Sequence, residues 1–146
     1  MGAGFIGLEF AGLCAGSGRP VTVIEAADRP MARAVSAETA GFFTQAHNAA
    51  GVTFAFGAGV QALEGEAGRV ARVRLADGSA IDADLVLVGI GVVPNQDLAE
   101  AAGLAVGDGI HADPFLATSD PAISALGDCA ACPLKSTCAW RSGRAH

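Results

Sequence analysis

Three glycines within the first seven residues, in the run Gly2-Ala3-Gly4-Phe5-Ile6-Gly7, constrain this chain more than any other feature. They open an apolar, Ala-rich segment that runs to about Ser17 and is stopped by Gly18-Arg19-Pro20, so a helix is expected there. Val21-Thr22-Val23-Ile24-Glu25 follows, a β-branched run ending in a carboxylate, which reads as a buried strand. The order is therefore glycine loop, helix, strand, acid. At this spacing the glycines give a tight turn, let backbone approach a pyrophosphate, and let helix pack on sheet. The free N–H groups and dipole of the helix N-terminus would hold the phosphates. Glu25 stands 18 residues after Gly7, where a carboxylate accepts hydrogen bonds from both hydroxyls of an adenine ribose and repels a 2′-phosphate. Loop and acid together favour NAD over NADP. Two other readings share these residues: a strand end with a solvated charge, and a methyltransferase loop for S-adenosylmethionine.

Downstream, Ser36 to Ala50 reads as a second helix with Ser36 as N-cap and Gly51 as stop, before a strand over Val52 to Phe56. From about Ala62 to Ile81 short alternating segments, with a hairpin turn at Asp77-Gly78, predict a β-meander. Leu85-Val86-Leu87-Val88-Gly89 is apolar throughout, as expected of a strand covered on both faces. Two glycines and a proline in Gly89-Ile90-Gly91-Val92-Val93-Pro94-Asn95 then place a domain boundary, dividing the chain into 1–93 and 94–146. A short helix near Asp97 to Ala102 and a turn at Gly107-Asp108-Gly109 follow, before Ala122 to Leu126 lead into Gly127-Asp128.

Composition removes several function classes. A net charge of −6, with nine Lys and Arg scattered and no basic run, leaves no electrostatic footprint for nucleic acid. Apolar stretches break well before the roughly 20 residues of a membrane span. The N-terminus lacks the basic start of a signal peptide and carries Glu9, and Ile6 stands where a myristoylation signal needs Ser or Thr. With 51% hydrophobic residues the chain can bury a core without a disulfide framework, so its four cysteines fit a reducing cytoplasm. Cys129, Cys132 and Cys138 invite a zinc or dithiol reading, but His146 is the one nearby fourth ligand, and no metal is expected. His47 and His111 read as surface or packing residues.

Taken together, Gly-Ala-Gly-Phe-Ile-Gly-Leu-Glu at 2–9, Val-Ile-Glu at 23–25, Gly-Ile-Gly-Val-Val-Pro-Asn at 89–95 and Ile-Ser-Ala-Leu-Gly-Asp at 123–128 come in a characteristic order. The chain resembles the ferredoxin, rubredoxin and putidaredoxin reductase branch of the pyridine nucleotide-disulfide oxidoreductase superfamily, over roughly residues 1 to 131. A methyltransferase would not carry the last two motifs. The resemblance implies an α/β fold: a Rossmann-type NAD-binding domain with a β-meander insertion, followed by a partial FAD-domain return segment. It implies that Gly2, Gly4, Phe5, Ile6 and Gly7 form the phosphate loop, that Glu9 faces the nicotinamide carboxamide, and that Glu25 takes the adenine ribose. Arg33 would lie near the adenosine half. Ile90 and Gly91 would let the nicotinamide lie close to the flavin, with Gly127 and Asp128 at the FAD ribityl chain. Plainer roles stand beside these: Glu9 as an exposed helix residue, Arg33 as a loop cation, Asp128 as a helix cap.

The implied activity is hydride transfer from NADH to FAD, with electrons passed on to a ferredoxin- or rubredoxin-like iron-sulfur protein. The flavin carries the redox chemistry, so no catalytic nucleophile is expected of the protein. Relatives acting as NADH oxidase, nitrite reductase component or coenzyme A disulfide reductase remain alternatives, as do a non-catalytic NAD-binding module and an inactive fragment. Met1 immediately precedes Gly2, so the strand expected before the loop is not in this sequence, and neither is the first FAD-binding segment. The expectation is that this chain alone binds FAD poorly and is inactive. From about residue 132 the tail, notably Lys135 to His146, departs from the family's pattern.

Overall fold

The computed structural model describes residues 1–132, which form two compact units, Met1–Ile90 and a second beginning at Gly91. In the first unit, helix α1 (Phe5–Gly16) leads to strand β1 (Val21–Glu25), helix α2 (Ala37–Ala49) and strand β2 (Val52–Phe56). β1 and β2 pair in parallel, Val21 opposite Val52 through Glu25 opposite Phe56, with α2 as the crossover. The expected boundaries hold because they are set locally. Ser36 Oγ accepts from Thr39 N–H at 3.3 Å to start α2, and Gly18 and Gly51 take φ of +73° and +88° where α1 and α2 end.

One core cluster of this unit joins α1 to the two strands: Ala3, Leu8, Ala11, Val23, Met31 and Val52 are all buried together. Burying a Leu or Val contributes about 1.5–3 kcal/mol. The dense alanine and glycine content of α1 lets it lie close on the sheet.

The meander is strands β3 (Val60–Glu66), β4 (Arg69–Leu75) and β5 (Ala80–Asp82), antiparallel in that order. Val73 and Leu75 turn one face onto Ile24, while Glu64, Arg72, Arg74 and Asp82 form an ion-paired network on strands β3 to β5. The Asp77-Gly78 turn joins β4 to β5, with Ser79 N–H donating to Asp77 Oδ1 at 2.9 Å. A second tight turn, Ala67-Gly68, joins β3 to β4 with both residues at positive φ, +50° and +79°. Alanine in that conformation carries no sequence signal for a hairpin.

The hydrogen bond from Arg74, with the Arg72 and Arg74 charges, holds the Glu64 carboxyl below its ordinary value of 4.5. A lowered folded-state pKa means stability that is present above the ordinary value and lost as pH falls through the lowered one. Glu64→Gln is therefore expected to lower the thermal midpoint at neutral pH, and the gap from wild type to close as pH drops below 4.5. A gap independent of pH in melts from pH 7 to pH 3 would refute the assignment.

Leu85–Gly89, expected as a buried strand, is not a regular one. Met1 N donates to the Leu87 carbonyl at 2.6 Å and Gly89 N–H to the Met1 carbonyl at 2.9 Å, the parallel pattern of a single residue. Leu85 and Val88 are 72% and 52% exposed. A strand is defined by its ladder, and one neighbouring residue does not supply one.

The second unit is built from short pieces: α3 (Asp97–Ala101), the hairpin β6 (Val106–Gly107) to β7 (Gly109–His111), and β8 (Ala130–Ala131), parallel to β7. Side-chain acceptors tie its loops. Gln96 Oε1 accepts from Gly109 N–H, and Asp113 Oδ1 from the N–H groups of Phe115 and Ala117. No helix among the described residues is long and apolar enough to cross a membrane.

Candidate functional site

The three loop glycines do different work. Gly2 takes φ of +88°, donates its N–H to the Ile24 carbonyl at 2.8 Å, and a Cβ there would strike the Gly89 carbonyl oxygen. Gly7 lies in the first turn of α1, where a Cβ would strike the Gly2 carbonyl oxygen. Both are demanded by the protein's own packing. Gly4 is not. Its φ is an ordinary −76°, and a Cβ there would meet no protein atom within 4 Å. Open space above this backbone is what close approach of a ligand would require.

Gly4 is also the N-cap of α1, with no side chain to bond the first-turn N–H groups, and no acidic residue lies in that turn. Phe5 and Ile6 are exposed at 50% and 65%. The end of the helix dipole is thus free to meet an anion.

Glu25, at the C-terminal end of β1, faces the same loop. Its Oε2 accepts from Ala3 N–H at 2.7 Å and its Oε1 from Ala27 N–H at 2.9 Å. A carboxylate oxygen has two lone pairs, so each can take one further donor, such as a ribose hydroxyl. The Ala3 carbonyl accepts from Met31 N–H at 3.0 Å. Met31 holds φ at +49°, a conformation that side-chain-bearing residues rarely take.

The other expected residues are placed as follows. Glu9 is exposed on α1 and makes no ion pair among the described residues. It lines, with Phe5, Leu8, Gly12, Met31, Phe43 and His47, a largely apolar groove of about 320 Å³ between α1 and α2. Gly4 is not among the residues that line it, though its neighbour Phe5 is. Arg33 is exposed in the turn between β1 and α2, and Ile90 is 73% exposed where the first unit ends. Gly91 opens the second unit at φ of +130°; Gly127, at φ of +79°, and Asp128 form an exposed 3-10 turn there. Asp128 lies within that turn, whose N-cap is Leu126, and a longer helix beyond Cys132 would fall outside the described residues. Gly2, Gly7 and Glu25 are brought together through Ala3.

Three contributors were given no site role in the sequence reading. Ala3 is fully buried and both its backbone groups are bonded; Gly89 receives the glycine loop; Met31 ties the turn after β1 to that loop. A small residue between the first two glycines was the available signal for Ala3. Among the described residues no group of three His, Cys, Asp or Glu could hold a metal, and Cys129 and Cys132 are free thiols. Cys138, His146 and the divergent tail from Lys135 lie outside the described residues.

Known proteins resemble this chain in sequence and in fold. Rhodocoxin reductase of Rhodococcus erythropolis is 51% identical over 134 residues, 92% of this chain and 31% of that protein. The crystal structure of the ferredoxin reductase for the CYP199A2 system from Rhodopseudomonas palustris matches with a TM-score of 0.85 at 47% identity, over 90% of this chain and 32% of that one. The reductase in the covalent putidaredoxin reductase-putidaredoxin complex matches at 0.84 and 39% identity, again over 90% and 32%. The chain spans about a third of the length of these relatives. With residues 1–143 matching the pyridine nucleotide-disulphide oxidoreductase family, and the glycine loop, acid and α/β core all in place, this chain belongs to that family, in its ferredoxin reductase-like branch.

Proposed function

We propose that residues 1–93 bind NAD(H) and that the chain serves an FAD-dependent NADH oxidoreductase delivering electrons to a small iron-sulfur protein of the ferredoxin or rubredoxin kind. The observation that carries the first half is Gly4: an open backbone at an uncapped helix N-terminus, one residue from Ala3, whose N–H donates to the Glu25 carboxylate. A pyrophosphate would sit against the N–H groups of Phe5, Ile6 and Gly7, and the adenine ribose against Glu25. In this reading Glu9 and Arg33 serve the nicotinamide and adenosine ends, and Ile90 and Gly91 the approach of nicotinamide to flavin. Gly127 and Asp128 would bind the FAD ribityl chain; the Asp128 carboxylate is exposed and accepts no hydrogen bond among the described residues. The bound cofactors supply hydride and electron transfer, and the chain supplies binding and orientation. The second half rests on relatives, whose names include a reductase joined covalently to putidaredoxin. A cytoplasmic setting belongs to the same reading, in keeping with the free thiols of Cys14, Cys129 and Cys132.

Calorimetric titration with NADH, NADPH and FAD tests this. NADH is expected to bind more tightly than NADPH, because the Glu25 carboxylate repels a 2′-phosphate. NADH binding without FAD would restrict the chain to a nicotinamide dinucleotide module. Binding of neither would sink the proposal for this chain.

A further inference from the structure

The ribose role leaves the two backbone bonds of Glu25 without a purpose. We infer that Glu25 is a positioning residue for the phosphate loop: its carboxylate clasps the glycine loop to the turn after β1, and so sets pyrophosphate affinity through Ala3. This rests on the dinucleotide reading above and deepens it.

The geometry is specific to two acceptors. Ala3 N–H and Ala27 N–H come from opposite sides of the clasp, one in the loop and one two residues beyond Glu25, at 2.7 and 2.9 Å from separate carboxylate oxygens. Ala3 is fully buried, so its N–H has no water to fall back on. Its carbonyl is drawn to the same turn by Met31 N–H at 3.0 Å, which that residue reaches from its left-handed conformation at φ of +49°. Ala27 in turn accepts from Gly57 N–H at 2.9 Å, so the turn is anchored to the end of β2. The glycine loop is thus held to the turn after β1 by the Glu25 side chain, through the residue next to Gly4.

Glu25→Gln separates the two roles. A primary amide has one oxygen and one NH2, so it cannot accept from two N–H groups on two separate atoms, and the clasp opens. A ribose hydroxyl both donates and accepts, so the amide can still bond it. Inorganic pyrophosphate has no ribose and reports on the loop alone. By calorimetry, E25Q is expected to weaken inorganic pyrophosphate by roughly tenfold, and NADH by a similar factor. Pyrophosphate affinity equal to wild type in folded E25Q, with only NADH weakened, would overturn the clasp and leave the ribose role standing. If E25Q does not fold, or wild type binds neither probe, hydrogen exchange read by NMR on the ligand-free wild-type chain decides. Protected amides at Ala3 and Ala27 support the clasp, and amides exchanging at free-loop rates refute it. Failure of wild type to bind pyrophosphate or NADH would count against the dinucleotide reading, independently of that exchange result.

Discussion

Gly4→Ala is expected to leave the fold intact and abolish most dinucleotide binding, whereas Gly7→Ala is expected to damage both. The methyl group at position 4 meets no protein atom within 4 Å, and φ of −76° suits alanine. The stability cost is that of a poorer N-cap, about 1 kcal/mol or less. The same methyl stands where the phosphates must approach, so NADH affinity should fall about tenfold or more. At position 7 the methyl lands on the Gly2 carbonyl, which is backbone and cannot swing aside. Helix α1 must then lift from the loop, at a cost of roughly 1–3 kcal/mol, and the melting temperature should drop with affinity. Thermal melts and NADH titrations on the pair check this. G4A binding NADH as well as wild type would remove the observation on which the site rests.

Glu25→Arg is expected to weaken NADH by about a hundredfold and to raise the NADPH-to-NADH affinity ratio. The variant loses hydrogen bonds from the carboxylate to the ribose, each worth about 1.5–3 kcal/mol when charged, and about 2.7 kcal/mol corresponds to that factor. A guanidinium in place of the carboxylate attracts a 2′-phosphate where the wild type repels it. Arginine offers no acceptor, so the buried Ala3 N–H is orphaned, and the melting temperature should fall with affinity. Titration of folded variant with both nucleotides decides; an unchanged preference would count against Glu25 as the ribose acid.

Much of the first unit was legible because its signals are local. The Ser36 cap, the glycine stops at 18 and 51, the β-branched run at 21–25 and the apolar run at 52–56 each act within a few residues, and the structure repeats them. The glycine loop was legible as a motif. Its division of labour was not, since Gly2, Gly4 and Gly7 are identical in sequence and differ only in what a Cβ would meet. The Ala67-Gly68 turn was missed because alanine is an unexpected occupant of a left-handed position.

Sequence alone was enough for the family, the α/β class and the pairing of loop with acid, because side chains at fixed spacing carry those. It was not enough for Leu85–Gly89, whose apolar composition says strand while its hydrogen bonds, among the described residues, reach Met1 alone. Nor could it reveal that Glu25 grips Ala3 and Ala27, or that Gly89 backs the loop. Each of those contacts ends on a backbone group, which nearly every residue carries alike, so only the folded path of the chain determines which of them are met.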